Sequence, residues 1–215
     1  AVVACDQYTS EPEYWKEVEN IVGDAPSTLK ITLPEIYLEQ DNVAERIANI
    51  NKEMDHLLST DFFKTLDNSL IYLERTGADG KVRKGLIGMV DLEDYSYEKG
   101  SQSLIRATEG TVLERIPPRV RVRENASLEL PHVMLLIDDE KKEIIEGLTD
   151  KVTSEDVVYD FDLMQNGGHI KGYKLNQNIQ NEIISGLEAL ADKDYFEKKY
   201  NVTDKGVLLF AMGDG

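Results

Sequence analysis

The chain has 215 residues, 41% of them hydrophobic, and a formal charge of −17 at pH 7. That apolar content sustains a folded core, while the acidity excludes nucleic-acid backbones and anionic membrane surfaces as partners, since both demand clustered positive charge. The longest apolar runs, 133–137 and 206–212, fall well short of the ~20 residues of a membrane span, and the single cysteine, Cys5, cannot form an internal disulfide, so a reducing, cytoplasmic setting is expected.

"AVVAC" at the start reads as a strand. "TSEPEYWKEVENIVGD" (9–24) reads as a helix: Thr9 or Ser10 can cap it, Pro12 suits its first turn and Gly23 closes it. Its apolar face carries Tyr14, Trp15, Val18, Ile21 and Val22. Residues 41–60 form the clearest amphipathic helix, with Val43, Ile47, Ile50, Met54, Leu57 and Leu58 in one stripe. "SLIYLERT" and "VRKGLIGMVDL" then predict a β-hairpin across 70–91, turned at Asp79–Gly80. "HVMLLIDD" predicts a strand and "EKKEIIEGL" (140–148) a short helix. "VVYDFDL", "NGG" and "HIKGYKL" predict a second hairpin across 157–175. Residues 176–192 form a helix on Ile179, Ile183, Leu187 and Leu190, which "DYFEKKY" extends or follows. "GVLLFAMGDG" (206–215) is a strand delivering a Gly-Asp-Gly turn. The tyrosines and Trp15 read as core and edge residues. Hairpins mixed with helices predict an α+β fold with a mixed, largely antiparallel sheet and packed helices. No linker or repeat divides the chain, so a single domain over 1–215 is expected. Both ends read as cut, which makes this a fragment of a longer protein lacking a C-terminal region.

Residues 103–125 hold Arg106, Arg115, Arg119, Arg121 and Arg123, five of eight arginines, and none of the sixteen lysines. Arginine supplies a planar fork that binds carboxylate or phosphate bidentately, so a lysine-free cluster points to fixed geometry. In "IRATEGT", small residues and Gly110 give backbone N–H groups access to an anion beside Arg106 and Thr108. Thr111 is expected to cap a turn "VLERI". Pro117 and Pro118 are then expected to force an extended exit, with Arg119, Arg121 and Arg123 on one face of a strand. Ordinary ion pairs to the forty-one acids are the competing account of those three.

Asp160 and Asp162 share a predicted strand face, with His169 across the turn, and could serve Mg²⁺; solvated hairpin acids are the simpler reading. Cys5 reads as a small buried thiol and His132 as structural, while His56 lies on the polar side of its helix. Asp138–Asp139 read as a strand-to-helix cap.

Taken together, "ACDQYTSEPEYW", "VGDAPSTL", "LPEIYLE", "SLIRATEGTVLERIPPRVRVRENA", "LELPHVMLLIDD", "YDFDLMQNGGHIKG" and "FAMGDG" resemble a bacterial family of uncharacterised, conserved cytoplasmic proteins over nearly the whole chain. In that family the closing motif continues as a Gly-Asp-Gly-Asn-His-Ser-type run; here it stops at Gly213, Asp214 and Gly215. That run is similar to the Asp-Gly-His-His-Arg run of free serine kinases in the ParB/sulfiredoxin-like superfamily, where it handles phosphate, and the family's members tend to be encoded near serine-biosynthesis enzymes. The resemblance implies a nucleotide-dependent small-molecule phosphotransferase, in its specific form a free-serine kinase, using ATP or ADP and Mg²⁺ on a small phosphorylated metabolite or nucleotide. Arg106 and Arg115 would clamp phosphate with Thr108, Gly110 and Thr111. Gly213 and Gly215 would begin the phosphate turn, and Glu109 or Asp214 would be the acid/base. A fragment without the histidine half is expected to bind anions weakly and to turn nothing over. The alternatives are a non-catalytic nucleotide- or metabolite-binding regulator and a protein–protein interaction domain.

Overall fold

A computed structural model describes residues 4–214, without the side chains of Arg115 and Asp214. The chain is α+β and falls into two compact units. One comprises the chain up to Leu66, Thr111–Pro131 and Asp162–Gly168; the other comprises Asp67–Gly110, His132–Phe161 and the chain from His169. Each unit is assembled from three separate stretches, so no single linker separates them in sequence.

The first unit is helical. Helix α1 (Pro12–Val22) opens with Pro12 where no N–H is required, and buries Trp15, Val18 and Val22. Helix α2 (Val43–Leu58) buries Ile50, Met54 and Leu57, which pack with Ile31, Leu33 and Tyr37. The Tyr37 hydroxyl donates to Glu19 at 2.8 Å, and the Arg46 guanidinium lies 3.8 Å from the centre of its ring. Burial first, and the Glu19 carboxylate second, push the Tyr37 hydroxyl up to about 12.

Helix α3 (Ile116–Arg123) corrects the extended reading of "RVRVR". Pro117 and Pro118 fall in its first turn, where a missing N–H costs nothing. The helical period then replaces alternation: Val122 packs against the core, and Arg119 and Arg123, four residues apart, share a face. Thr111 does not cap the preceding turn. That turn, Leu113–Arg115, has Val112 at its N-cap and no side-chain cap.

The second unit holds two four-stranded sheets. In the first the order is β2–β1–β7–β6, from β1 (Ile71–Thr76), β2 (Val82–Ile87), β6 (Val157–Asp162) and β7 (His169–Lys174). Strands β1 and β2 pair antiparallel as the expected hairpin, with Gly80 at φ 77° in its turn. Strands β6 and β7 are neighbours joined by a six-residue loop, too short for anything but an antiparallel return. Tyr72, fully buried on β1, packs with Ile144, Leu148, Leu175 and the Ile179 and Ile183 of α4 (Gln177–Leu190). Its hydroxyl hydrogen-bonds Glu74 at 2.8 Å and Thr149 at 2.7 Å, so burial leaves no orphan polar group there. The Asn176 side chain caps α4 by accepting from the Ile179 N–H.

The second sheet runs β3–β4–β8–β5, from β3 (Tyr95–Ser96), β4 (Ile105–Ala107), β8 (Phe210–Asp214) and β5 (Met134–Ile137). Strands β3, β4 and β8 are mutually parallel, and β5 closes on β8 antiparallel. Helix α5 (Lys193–Tyr200) ties to the end of β5: Lys199 and the Tyr200 hydroxyl both reach the Asp138 carboxylate, at 2.9 and 2.7 Å.

Three further expectations change. Residues 140–145 form turns, followed by a 3₁₀ turn at Glu146–Asp150, where a helix over 140–148 was expected. Asp139 accepts from the Ile144 N–H, and Lys142 is in the left-handed region, which together break a helical run. Gly213 and Asp214 continue strand β8 and do not form a turn; Gly215 lies outside the described residues. Ala4 and Cys5 lie outside any strand, and residues 1–3 are outside the described residues. Among the described residues no helix is long and apolar enough to cross a membrane.

Candidate functional site

Three strands that run parallel deliver their carboxyl ends to one edge of a sheet, and ligands are commonly held at such edges. Here the pairings Tyr95 with Ile105, Ser96 with Arg106, Arg106 with Ala211 and Ala107 with Met212 align β3, β4 and β8. Their carboxyl ends lead into Tyr97–Glu98, Thr108–Gly110 and Gly213–Asp214 respectively. The Thr108 hydroxyl donates to the Met212 carbonyl at 2.6 Å, which joins the ends of β4 and β8 directly. The 106–110 segment and the Met212–Asp214 end of β8, about a hundred residues apart in sequence, therefore meet in space.

Arg106 lies on strand β4, not in a loop. Its Nη1 donates to the Ser101 carbonyl at 2.7 Å and its Nη2 to the Gly206 carbonyl at 3.2 Å. Both carbonyls precede the strands, so the guanidinium pins the two loops that lead into β4 and β8. The pinning depends on a glycine: a Cβ on Gly206 would stand 2.7 Å from the Gln102 Cα. Two of the five N–H donors of Arg106 are thus used on backbone. The residue also lines an open cavity of about 430 Å³, with Tyr97, Lys99, Thr108, Leu208 and Ala211 on its walls. Lys99 and Arg106 give that cavity two cations, against Glu98.

Glu109 is exposed immediately beyond β4. Gly110 is exposed too, and a Cβ there would meet nothing within 4 Å, so crowding does not dictate that glycine. Gly213 is crowded, because a Cβ would come 3.1 Å from the Leu136 Cγ on β5. The side chains of Asp214 and Arg115, and Gly215, lie outside the described residues. Thr111 and Arg115 belong to the helical unit, whereas Arg106, Thr108, Glu109 and Gly110 belong to the sheet unit. The arginine cluster is thus divided between units. In the helical part Arg119 pairs with Glu35, and the Arg123 Nε lies 3.0 Å from a Glu129 carboxylate oxygen. For these two the ion-pair account holds.

Asp160 sits between Lys171 at 2.9 Å and His169 at 2.8 Å. The Lys171 ammonium, with His169 beside it, holds the Asp160 carboxyl below the usual carboxylate range. Among the described residues, no group of three or more His, Cys, Asp or Glu gathers to hold a metal. The Asp160 carboxylate is engaged by both cations, so a Mg²⁺ there would compete with Lys171. Burial, helped by Asp6 and Glu35, pushes the Cys5 thiol up, opposite to what an activated nucleophile requires.

Tyr97 and Lys99 were not legible as site residues, since tyrosine reads first as core. A signal was present: in "DLEDYSYEKGSQS" the residues around Tyr97 are mostly polar, which marks the stretch as an exposed loop.

A family model described as "Protein of unknown function (DUF1015)" matches residues 1–215. No curated protein and no solved structure matches the chain.

Proposed function

We propose that this chain, which belongs to the DUF1015 family over its whole length, is a nucleotide-dependent small-molecule phosphotransferase whose first acceptor to test is free serine. One observation carries the reading: parallel β4 and β8 bring Thr108–Gly110 and Gly213–Asp214 to one sheet edge, beside a cavity bearing Lys99 and Arg106. In phosphoryl transfer the protein mainly positions groups and neutralises charge. Backbone N–H groups of the two strand ends would hold phosphate oxygens, and Lys99 would add a cation. Arg106 would act as a positioning residue, keeping the two loops in place. The acceptor hydroxyl oxygen would attack the terminal phosphorus, its proton passing to Glu109 or Asp214, as the bond to the leaving nucleotide breaks. ATP or ADP is the donor in this reading. Thr111 and Arg115, and the metal role of Asp160 and Asp162, are left out of this reading. A cytoplasmic setting goes with such a reaction.

Calorimetric titration with ADP and ATP, followed by ³¹P detection of phosphoserine from nucleotide and serine, tests the reading. Nucleotide binding is the expected result for this chain, and phosphoserine formation the expected result for a family member that carries the Gly-Asp-Gly-Asn-His-Ser-type run. Absence of nucleotide binding at millimolar concentration overturns it. Binding without turnover in that family member favours the regulatory reading, to which the commitment of Arg106 to backbone carbonyls also lends weight.

A further inference from the structure

Tyr97 is 79% exposed, and its ring centre lies 6.5 Å from that of Tyr95. It is nevertheless held on a loop with its own bracing. The Ser96 hydroxyl accepts from the Glu98 N–H at 3.2 Å, and the Ser101 N–H donates to the Glu98 carbonyl at 3.1 Å. Gly100 takes φ 85°, and Arg106 fixes the Ser101 carbonyl from below. The ring is therefore presented on a braced loop. It stands at the carboxyl end of β3, on the edge that also receives Thr108 and Gly213, and it lines the same cavity as Lys99, Thr108 and Ala211.

We infer that Tyr97 is the seat of a flat heteroaromatic ring, the base of a nucleotide whose phosphates lie toward Thr108 and the end of β8. This rests on the phosphate-handling reading above and adds which part of the ligand the β3 side of the cavity takes. The chemistry is a division of labour. A phosphate alone needs only the strand ends and cations, whereas a base needs a face to stack on, and Tyr97 is the aromatic residue among those lining the cavity. A side chain that exposed carries little of the fold, so its replacement leaves stability intact.

The test compares ADP with pyrophosphate by calorimetry on the wild-type chain, Tyr97→Ala and Tyr97→Phe, each checked by thermal melting. ADP is expected to bind the wild type more tightly than pyrophosphate does. Tyr97→Ala should weaken ADP roughly tenfold, the scale of one base–aromatic stack, and leave pyrophosphate unchanged; Tyr97→Phe should retain wild-type ADP affinity. If pyrophosphate binds but ADP binds no tighter, or if Tyr97→Ala leaves ADP affinity intact, the stacking role is wrong while phosphate handling stands. If neither ligand binds the wild type, both readings fall together.

Discussion

In the helical unit Arg119 and Arg123 face carboxylates; in the sheet unit Arg106 faces two backbone carbonyls. The same side chain does different work in the two places. Arg119 and Arg123 are partly exposed, and each neutralises one of many acids in a chain of charge −17. Pairs of that kind contribute about 0–1 kcal/mol and weaken with salt. Arg106 instead joins two loops far apart in sequence, and its charge-assisted hydrogen bonds are worth about 1.5–3 kcal/mol. Clustering in sequence therefore said little about shared purpose, since the cluster is divided between units at Gly110.

The sharpest way to break this comparison is at Gly206. Gly206→Val places a branched side chain against the Gln102 backbone and pushes the carbonyl away from Arg106. A loss of about 3 kcal/mol in urea-unfolding stability is expected. A loss below about 1 kcal/mol would mean the loops are not pinned there. Next comes Arg106→Lys, expected to cost about 1–2 kcal/mol, little changed between low and high salt, because an ammonium cannot span both carbonyls. Tyr37 gives the comparison a pH dependence. Its folded value, about 12, lies above the ordinary tyrosine value of 10.0. The stabilisation is therefore fully present below pH 10 and is lost as pH rises toward 12. Tyr37→Phe should flatten that alkaline decline, with the tyrosinate absorbance at 295 nm as the readout. The smallest effect belongs to Arg119→Lys, expected below about 1 kcal/mol and absent in 1 M NaCl. A larger, salt-independent cost there would erase the distinction from Arg106.

Helices α1, α2 and α4 and both hairpins were legible because each carries its own local period, cap or turn. Trp15 and Val18, Ile50 and Met54, and Ile179 and Ile183 are buried where the stripes put them. Helix α3 was not legible: alternating Arg and Val mimics a strand, and only packing of Val122 into the helical core reveals otherwise. The parallel β3–β4–β8 arrangement was not legible as a sheet either. Strands of two and three residues hold too little pattern, and their pairing is decided by long-range contacts. The sequence did point to 106–111 and 213–215 as one neighbourhood, and the Thr108–Met212 hydrogen bond joins the ends of β4 and β8 there, with Gly215 outside the described residues. What it hid were the partners of Arg106, because backbone carbonyls have no residue-type signature, and the part played by Tyr97 and Lys99.

Strand β8 stands between β4 and β5, yet it follows β4 by about a hundred residues. On the ribosome, then, the β1–β2 hairpin can zip as soon as it emerges, while β4 and β5 must wait for a middle strand still being translated. Their edges stay open through that interval, and closing the long loop makes the step slow. Nascent chains released before Asp214 should be the ones that recruit chaperones or aggregate, and chains carrying β8 should not.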